Sequence, residues 1–168
     1  MAKRAPIAGV SVIILRGAAA LLCRRAAPPL HREWTPPGGA MRWRETTTQA
    51  ALRLVGEQTG IACELDGAFD ALDWIVKGPL ETQFVFTCIA ARWIAREPAP
   101  GAGILEARFA PPDDWPDAVR PQVLDLLRAA ATRASTRAPT DPIRPDLPRS
   151  AVASSETAVT AAARPLPD

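Results

Sequence analysis

The chain has little of what disulfide, metal-thiolate or membrane chemistry requires. It carries three cysteines (Cys23, Cys63 and Cys88) and one histidine, His31, in 168 residues. The cysteine number is odd, the spacings match no zinc pattern, and a single imidazole cannot complete one. Each cysteine sits in an apolar stretch, so reduced, buried thiols in a cytoplasmic protein are expected. No apolar run approaches the length of a membrane span. Near the N-terminus Pro6, Gly9 and Ser11 interrupt the short apolar stretch that follows Lys3 and Arg4, so neither a signal peptide nor a membrane anchor is expected. The formal charge is only +2, with the basic residues scattered. That excludes the electrostatic footprint of a nucleic-acid or acidic-membrane partner.

What is present suits one globular domain. The chain is 48% hydrophobic and 23% charged, enough for a real core. Residues 7–15, rich in β-branched side chains, read as a buried strand, and Gly17 turns the chain into a second strand over 19–24. A polar, proline-rich loop follows through His31 and Trp34 to Pro36-Pro37-Gly38-Gly39, a run that argues against both helix and regular strand. Thr46 and Gln49 make a capping-box pattern that opens a helix, and Gly60 is placed to end it. Gly56 lies inside that helix, marking either a close approach or simple tolerance. Strands are expected over 61–65 and 68–76 around a turn at Asp66-Gly67, then a turn at Lys77-Gly78-Pro79, then strands over 84–95 and 104–110. Pro121 opens a last helix with an apolar stripe at Val123, Leu124 and Leu127, running to about Arg133. From Ala134 onward alanine, proline, serine and threonine dominate and aromatic residues vanish. The expected division is therefore a folded domain over 1–133 and a disordered Pro/Ala-rich tail over 134–168.

The most informative segment is residues 39–61, GAMRWRETTTQAALRLVGEQTGI. It resembles the Nudix box, G-x5-E-x7-R-E-U-x-E-E-x-G-U, with U a bulky aliphatic residue. Gly39, Glu45, Arg53, Val55, Glu57, Gly60 and Ile61 fit the pattern; Leu54 and Gln58 stand where it has glutamates. Even with two misses, average residue usage makes a chance match about 10⁻³ or rarer. The preceding hairpin, the lead-in from Trp34 to Gly39 and the late strand with its proline-marked loop are similar to the family as well. The resemblance implies an α/β Nudix fold, a mixed β-sheet sandwiched between helices. It also implies cleavage of a diphosphate linking a nucleoside to a second group, assisted by Mg²⁺ or Mn²⁺ on the box carboxylates.

Positions 54, 57 and 58 stand at i, i+3 and i+4 and share one side of a helix. In this chain they present Leu54, Glu57 and Gln58: one carboxylate, one amide and one aliphatic group. Glu57 matches a family metal ligand, Gln58 retains only an uncharged amide oxygen, and the family likeness adds the Gly38 carbonyl as a further ligand. A weak Mg²⁺ or Mn²⁺ site is the expectation, because hard cations prefer charged oxygens. The resemblance also implies that Glu45 and Arg53 form the ion pair tying the box loop to its helix.

Other candidates are open on sequence alone. Glu106 and Glu97 lie where the family often draws an additional carboxylate; alternation favours Glu106 as the catalytic partner of Glu57, and surface exposure explains it equally well. Arg24 and Arg25 end the second strand and can meet phosphate or solvent. Trp34 offers a base-stacking surface or a cap on a core edge. His31, in the proline-rich loop, reads as exposed. The leading expectation is a slow diphosphatase acting on a nucleotide or nucleoside diphosphate derivative through Glu57 and a second carboxylate. The alternatives are a non-catalytic module binding a nucleotide or protein partner, and another chemistry on the same scaffold. A homodimer is compatible with the family likeness.

Overall fold

The computed structural model describes residues 5–77 and 81–136. Seven strands and two helices follow in the order β1 (Ile7–Arg16), β2 (Ala19–Arg25), β3 (Trp34–Thr35), β4 (Gly38–Ala40), α1 (Thr47–Thr59), β5 (Ala62–Val76), β6 (Thr82–Ala95), β7 (Ile104–Ala110) and α2 (Pro121–Thr136). A one-turn 3-10 helix at Pro112–Asp114 precedes α2. The main path of the sheet is β3-β2-β1-β6-β5, with β4 added to β1 and β7 to β2. β1 runs parallel to β6 and antiparallel to β2 and β4, so the sheet is mixed.

β1 is apolar apart from Ser11 and the terminal Arg16 because both its faces are covered. Val10, Val12 and Ile14 pack with Ala50, Ala51, Leu54 and Val55 of α1, while Ile13 turns to Val123, Leu126 and Leu127 of α2. Two cores thus lie on opposite sides of the sheet, one under each helix. This is the α/β sandwich that the sequence implies.

Three local expectations change, and one open alternative is decided. Gly38–Ala40, read as irregular, pairs with Ser11, Val10 and Gly9 of β1. Two prolines end before it, and glycine permits the approach: a Cβ on Gly38 would collide with the Val10 carbonyl oxygen. The two strands expected over 61–76 are one, β5, because Asp66-Gly67 forms a bulge rather than a turn; the register shifts between Leu65 and Gly67, where Gly67 has φ +105°. Gly56 faces open space, so it is tolerated rather than required. The last helix continues three residues past Arg133 to Thr136. The rest of the expected tail and the turn residues Gly78 and Pro79 lie outside the described residues.

Candidate functional site

Helix α1 carries the box positions and is fixed at both ends. The Thr46 side chain accepts from the Gln49 backbone N–H at 3.2 Å, and the Gln49 side chain accepts from the Thr46 N–H at 2.9 Å. Gly60 ends the helix at φ +67°. The buried stripe runs through Ala50, Ala51, Leu54, Val55, Gln58 and Thr59. Two of the three expected ligand positions therefore belong to the helix's packed face.

Leu54 is 7% exposed and lies in the α1-side core. Its Cδ2 stands 3.4 Å from where a Cβ on Gly39 would be. Gln58, also 7% exposed, spans Gly38 in both directions. Its Oε1 accepts from the Gly38 N–H at 3.0 Å, and its Nε2 donates to the Gly38 carbonyl at 2.9 Å. That carbonyl also accepts from Arg25 Nη2 at 3.1 Å. Glu57 stays accessible, its side chain 42% exposed, but each carboxylate oxygen meets an arginine at 3.2 Å: Oε1 meets Arg42 and Oε2 meets Arg53.

Glu45 and Arg53 form a two-pronged pair, Arg53 Nε to Oε1 at 2.6 Å and Nη2 to Oε2 at 2.8 Å. Arg42 N–H adds a third bond to Glu45 at 2.8 Å. These bonds hold the Glu45 carboxyl at about 2, down from 4.5, the Arg53 hydrogen bond contributing most. The same pairing raises the pKa of Arg53. The loop 41–45 is thereby tied to α1.

The other candidates are dispersed. On β7, Arg108 pairs with Leu22 and Phe109 with Leu21. Leu22 belongs to the α2-side core and Leu21 to the α1-side core, so alternation sets Glu106 with Arg108 on the α2 face. Glu106 therefore does not join Glu57; its Oε1 lies 3.9 Å from Arg108 Nε. Glu97 pairs with Arg16 at 2.8 Å. Trp34 is 7% exposed and packs into the α2-side core, with the Arg108 guanidinium 5.4 Å from its ring centroid. Its ring is a core element here, not an open stacking surface. Arg24 faces Trp34 and Glu106 across the strands, and its buried Nε has no hydrogen-bond partner among the described residues. His31 is exposed.

A cavity of about 280 Å³ opens beside Gly38 and Gly39. Trp74, Phe84 and Phe86 form its aromatic wall, and Arg25 is its charged lining residue. The wall is built by register: Trp74 sits opposite Phe84, and Leu72 opposite Phe86. The Phe84 and Phe86 rings stack with centroids 5.5 Å apart, and Trp74 meets Phe86 edge-on at 6.4 Å. Arg25 donates to Thr35 Oγ1 at 2.8 Å and to the carbonyls of Pro36 and Gly38, each at 3.1 Å. Burial pushes its pKa below the ordinary value. Alternation along the strand puts Phe84 and Phe86 on one face in sequence; only strand pairing brings Trp74 to them.

The donor set does not fit a Mg²⁺ or Mn²⁺ centre. Of the expected ligands, Gly38 and Gln58 spend their oxygens on hydrogen bonds and Glu57 is held between two guanidinium groups; Leu54, at the remaining box position, is apolar. Among the described residues no group of three His, Cys, Asp or Glu stands close enough to hold a metal ion.

Known structures share the fold. A MutT NUDIX hydrolase from Burkholderia pseudomallei aligns with TM-score 0.68 at 24% identity, over 74% of this chain and 98% of its own. A NUDIX hydrolase from Nitrosomonas europaea gives 0.66 at 25%, over 80% and 76%. The NUDIX domain of Shewanella oneidensis NrtR, solved with ADP ribose, gives 0.64 at 20%, over 79% and 91%. No curated protein matched the chain. A family model described as the NUDIX domain matches residues 5–130; with the box of residues 39–61 folded as the loop and helix described above, this chain belongs to the Nudix family.

Proposed function

We propose that this chain is a Nudix module that binds a nucleotide-type ligand in the cavity beside Gly38 and does not cleave it efficiently. The observation that carries this reading is the fate of positions 54 and 58. Leu54 is a core residue and Gln58 is a backbone clamp, so the charge that would polarise a diphosphate is absent from two places on the helix. The cavity supports the binding half: its apolar, aromatic wall and the Arg25 cation suit a flat base attached to an anion. A relative of the same fold holding ADP ribose supports the ligand class.

Glu57 favours a second reading, slow diphosphate hydrolysis, since it remains exposed and a substrate can bring a cation with its own phosphates. Both readings are tested with nucleoside triphosphates, ADP ribose, dinucleoside polyphosphates and nucleotide sugars, measuring binding by calorimetry and cleavage by chromatography with Mg²⁺ or Mn²⁺. Binding without cleavage is expected, equal for wild type and Glu57→Gln. Cleavage by wild type that falls about 10²-fold or more in Glu57→Gln would replace the binding reading with the enzymatic one.

A further inference from the structure

We infer that Arg25 and Gln58 together do at Gly38 the work of a divalent cation, so that the adjoining cavity takes an aromatic ligand bearing one anionic group without any metal. The ligand half of this inference rests on the nucleotide-binding reading; the clamp does not.

The Gly38 carbonyl is met by protein donors alone. It has two lone-pair directions, and two donors meet it: Gln58 Nε2 at 2.9 Å and Arg25 Nη2 at 3.1 Å. Nothing more is needed to hold it. Gln58 also has to accept from the Gly38 N–H; an amide does both from one side chain, whereas an ionised carboxylate can only accept. A glutamate at 58 would set a carboxylate oxygen against the carbonyl oxygen unless a cation stood between them. Glutamine is therefore not a weakened metal ligand here but the part that makes a cation unnecessary. Leu54 completes the change by setting an aliphatic side chain against Gly39, where a hydrated Mg²⁺ would need oxygens and water.

Arg25 then supplies the charge. Its guanidinium is permanently protonated, and among the described residues no carboxylate pairs with it or lines the cavity. The neighbouring thiol of Cys23 is pushed up to about 12 by burial and is neutral. Nε and Nη2 are used by Thr35, Pro36 and Gly38. A desolvated cation without a counter-charge calls for an anion. The aromatic wall calls for a ring. A second guanidinium, Arg120, lies 4.8 Å from the Trp74 ring centroid, but Glu33 pairs with it; Arg25 alone of the two lacks a counter-charge, which matches a single phosphate or carboxylate group better than a diphosphate.

The full chain is tested in two arms. In the first, thermal midpoints of wild type and Gln58→Glu are measured in excess EDTA and in millimolar Mn²⁺. Wild type is expected to show the same midpoint in both; Gln58→Glu falls in EDTA and recovers with Mn²⁺. A wild-type midpoint that rises with Mn²⁺, or a Gln58→Glu variant as stable as wild type in EDTA, overturns the clamp. In the second arm, AMP, ADP and phenyl phosphate are titrated into wild type and Trp74→Ala. Equal affinity in EDTA and Mn²⁺, weaker by about tenfold in Trp74→Ala, is the expected result. Comparison of AMP with phenyl phosphate separates a nucleotide from a generic aryl phosphate. Binding that requires Mn²⁺ overturns the inference and leaves the nucleotide reading standing. Failure of every probe under both conditions overturns the nucleotide reading and the ligand half with it, whatever the first arm shows.

Discussion

Glu45 accepts three hydrogen bonds from Arg53 and the Arg42 backbone, and its titration reports on the loop it holds. The folded pKa, about 2, lies below the ordinary 4.5. A depressed carboxylate contributes stability that is complete above its unfolded pKa and is lost as pH falls through the folded one. Acid unfolding should therefore steepen between about 4.5 and about 2, and Glu45→Gln should remove that part of the slope; the check is denaturant unfolding at stepped pH. The spacing of Glu45 and Arg53 marks them in sequence, because the box pattern names both. The role of Gln58 was not legible there, since it depends on β4 lying within reach of α1. The same applies to Leu54, which sequence can count as a missing carboxylate but not as a core residue. Leu54→Ala is expected to cost about 2–4 kcal/mol, measured by the same unfolding curves. Burial also sets the cysteine chemistry: the thiols of Cys23 and Cys88 are pushed up to about 12. Native protein should thus react with a thiol reagent at those positions only as fast as it opens.

At the scale of elements, α1 is finished by a distant segment. Ala99, Gly101 and Ala102 donate backbone N–H groups to the carbonyls of Thr59, Gln58 and Glu57 at 3.0, 2.9 and 2.9 Å. Three of the helix's unpaired C-terminal acceptors are met this way. Gly101 permits the approach, as a Cβ there would collide with the Glu57 carbonyl oxygen. Gly56 faces open space. Alanine scanning should therefore give opposite signs within one site. Gly101→Ala should destabilise by about 1–3 kcal/mol, and Gly56→Ala should stabilise by about 1 kcal/mol, both read from urea midpoints. The helix and its caps were legible because Thr46, Gln49 and Gly60 are local signals. The seating of residues 99–102 was not, because a Pro/Gly-rich stretch looks the same whether it caps a helix or faces water. The β5 bulge was misread for a related reason: Asp66-Gly67 suits a tight turn and a bulge alike, and pairing with β6 decides between them.

For the whole molecule, the sandwich was legible through the resemblance carried by residues 39–61, with which the buried strand at residues 7–15 and the apolar stripe of the last helix agree. The cavity was not. Trp34, beside the Pro-Pro-Gly-Gly run, was open between a stacking surface and a core cap, and packing with α2 makes it a core residue, while Trp74, Phe84 and Phe86 meet only through the β5-β6 register. None of the helices in the described residues is long and apolar enough to cross a membrane. The site that results has a scaffold of ion pairs around α1, a neutral clamp on Gly38 and a fixed guanidinium facing an aromatic cavity. Such a site is expected to hold no divalent metal. Calorimetric titration of Mn²⁺ into the full chain at neutral pH tests it most directly. The account predicts no saturable heat up to millimolar Mn²⁺; saturable binding in the micromolar range, lost in Glu57→Gln, would contradict it.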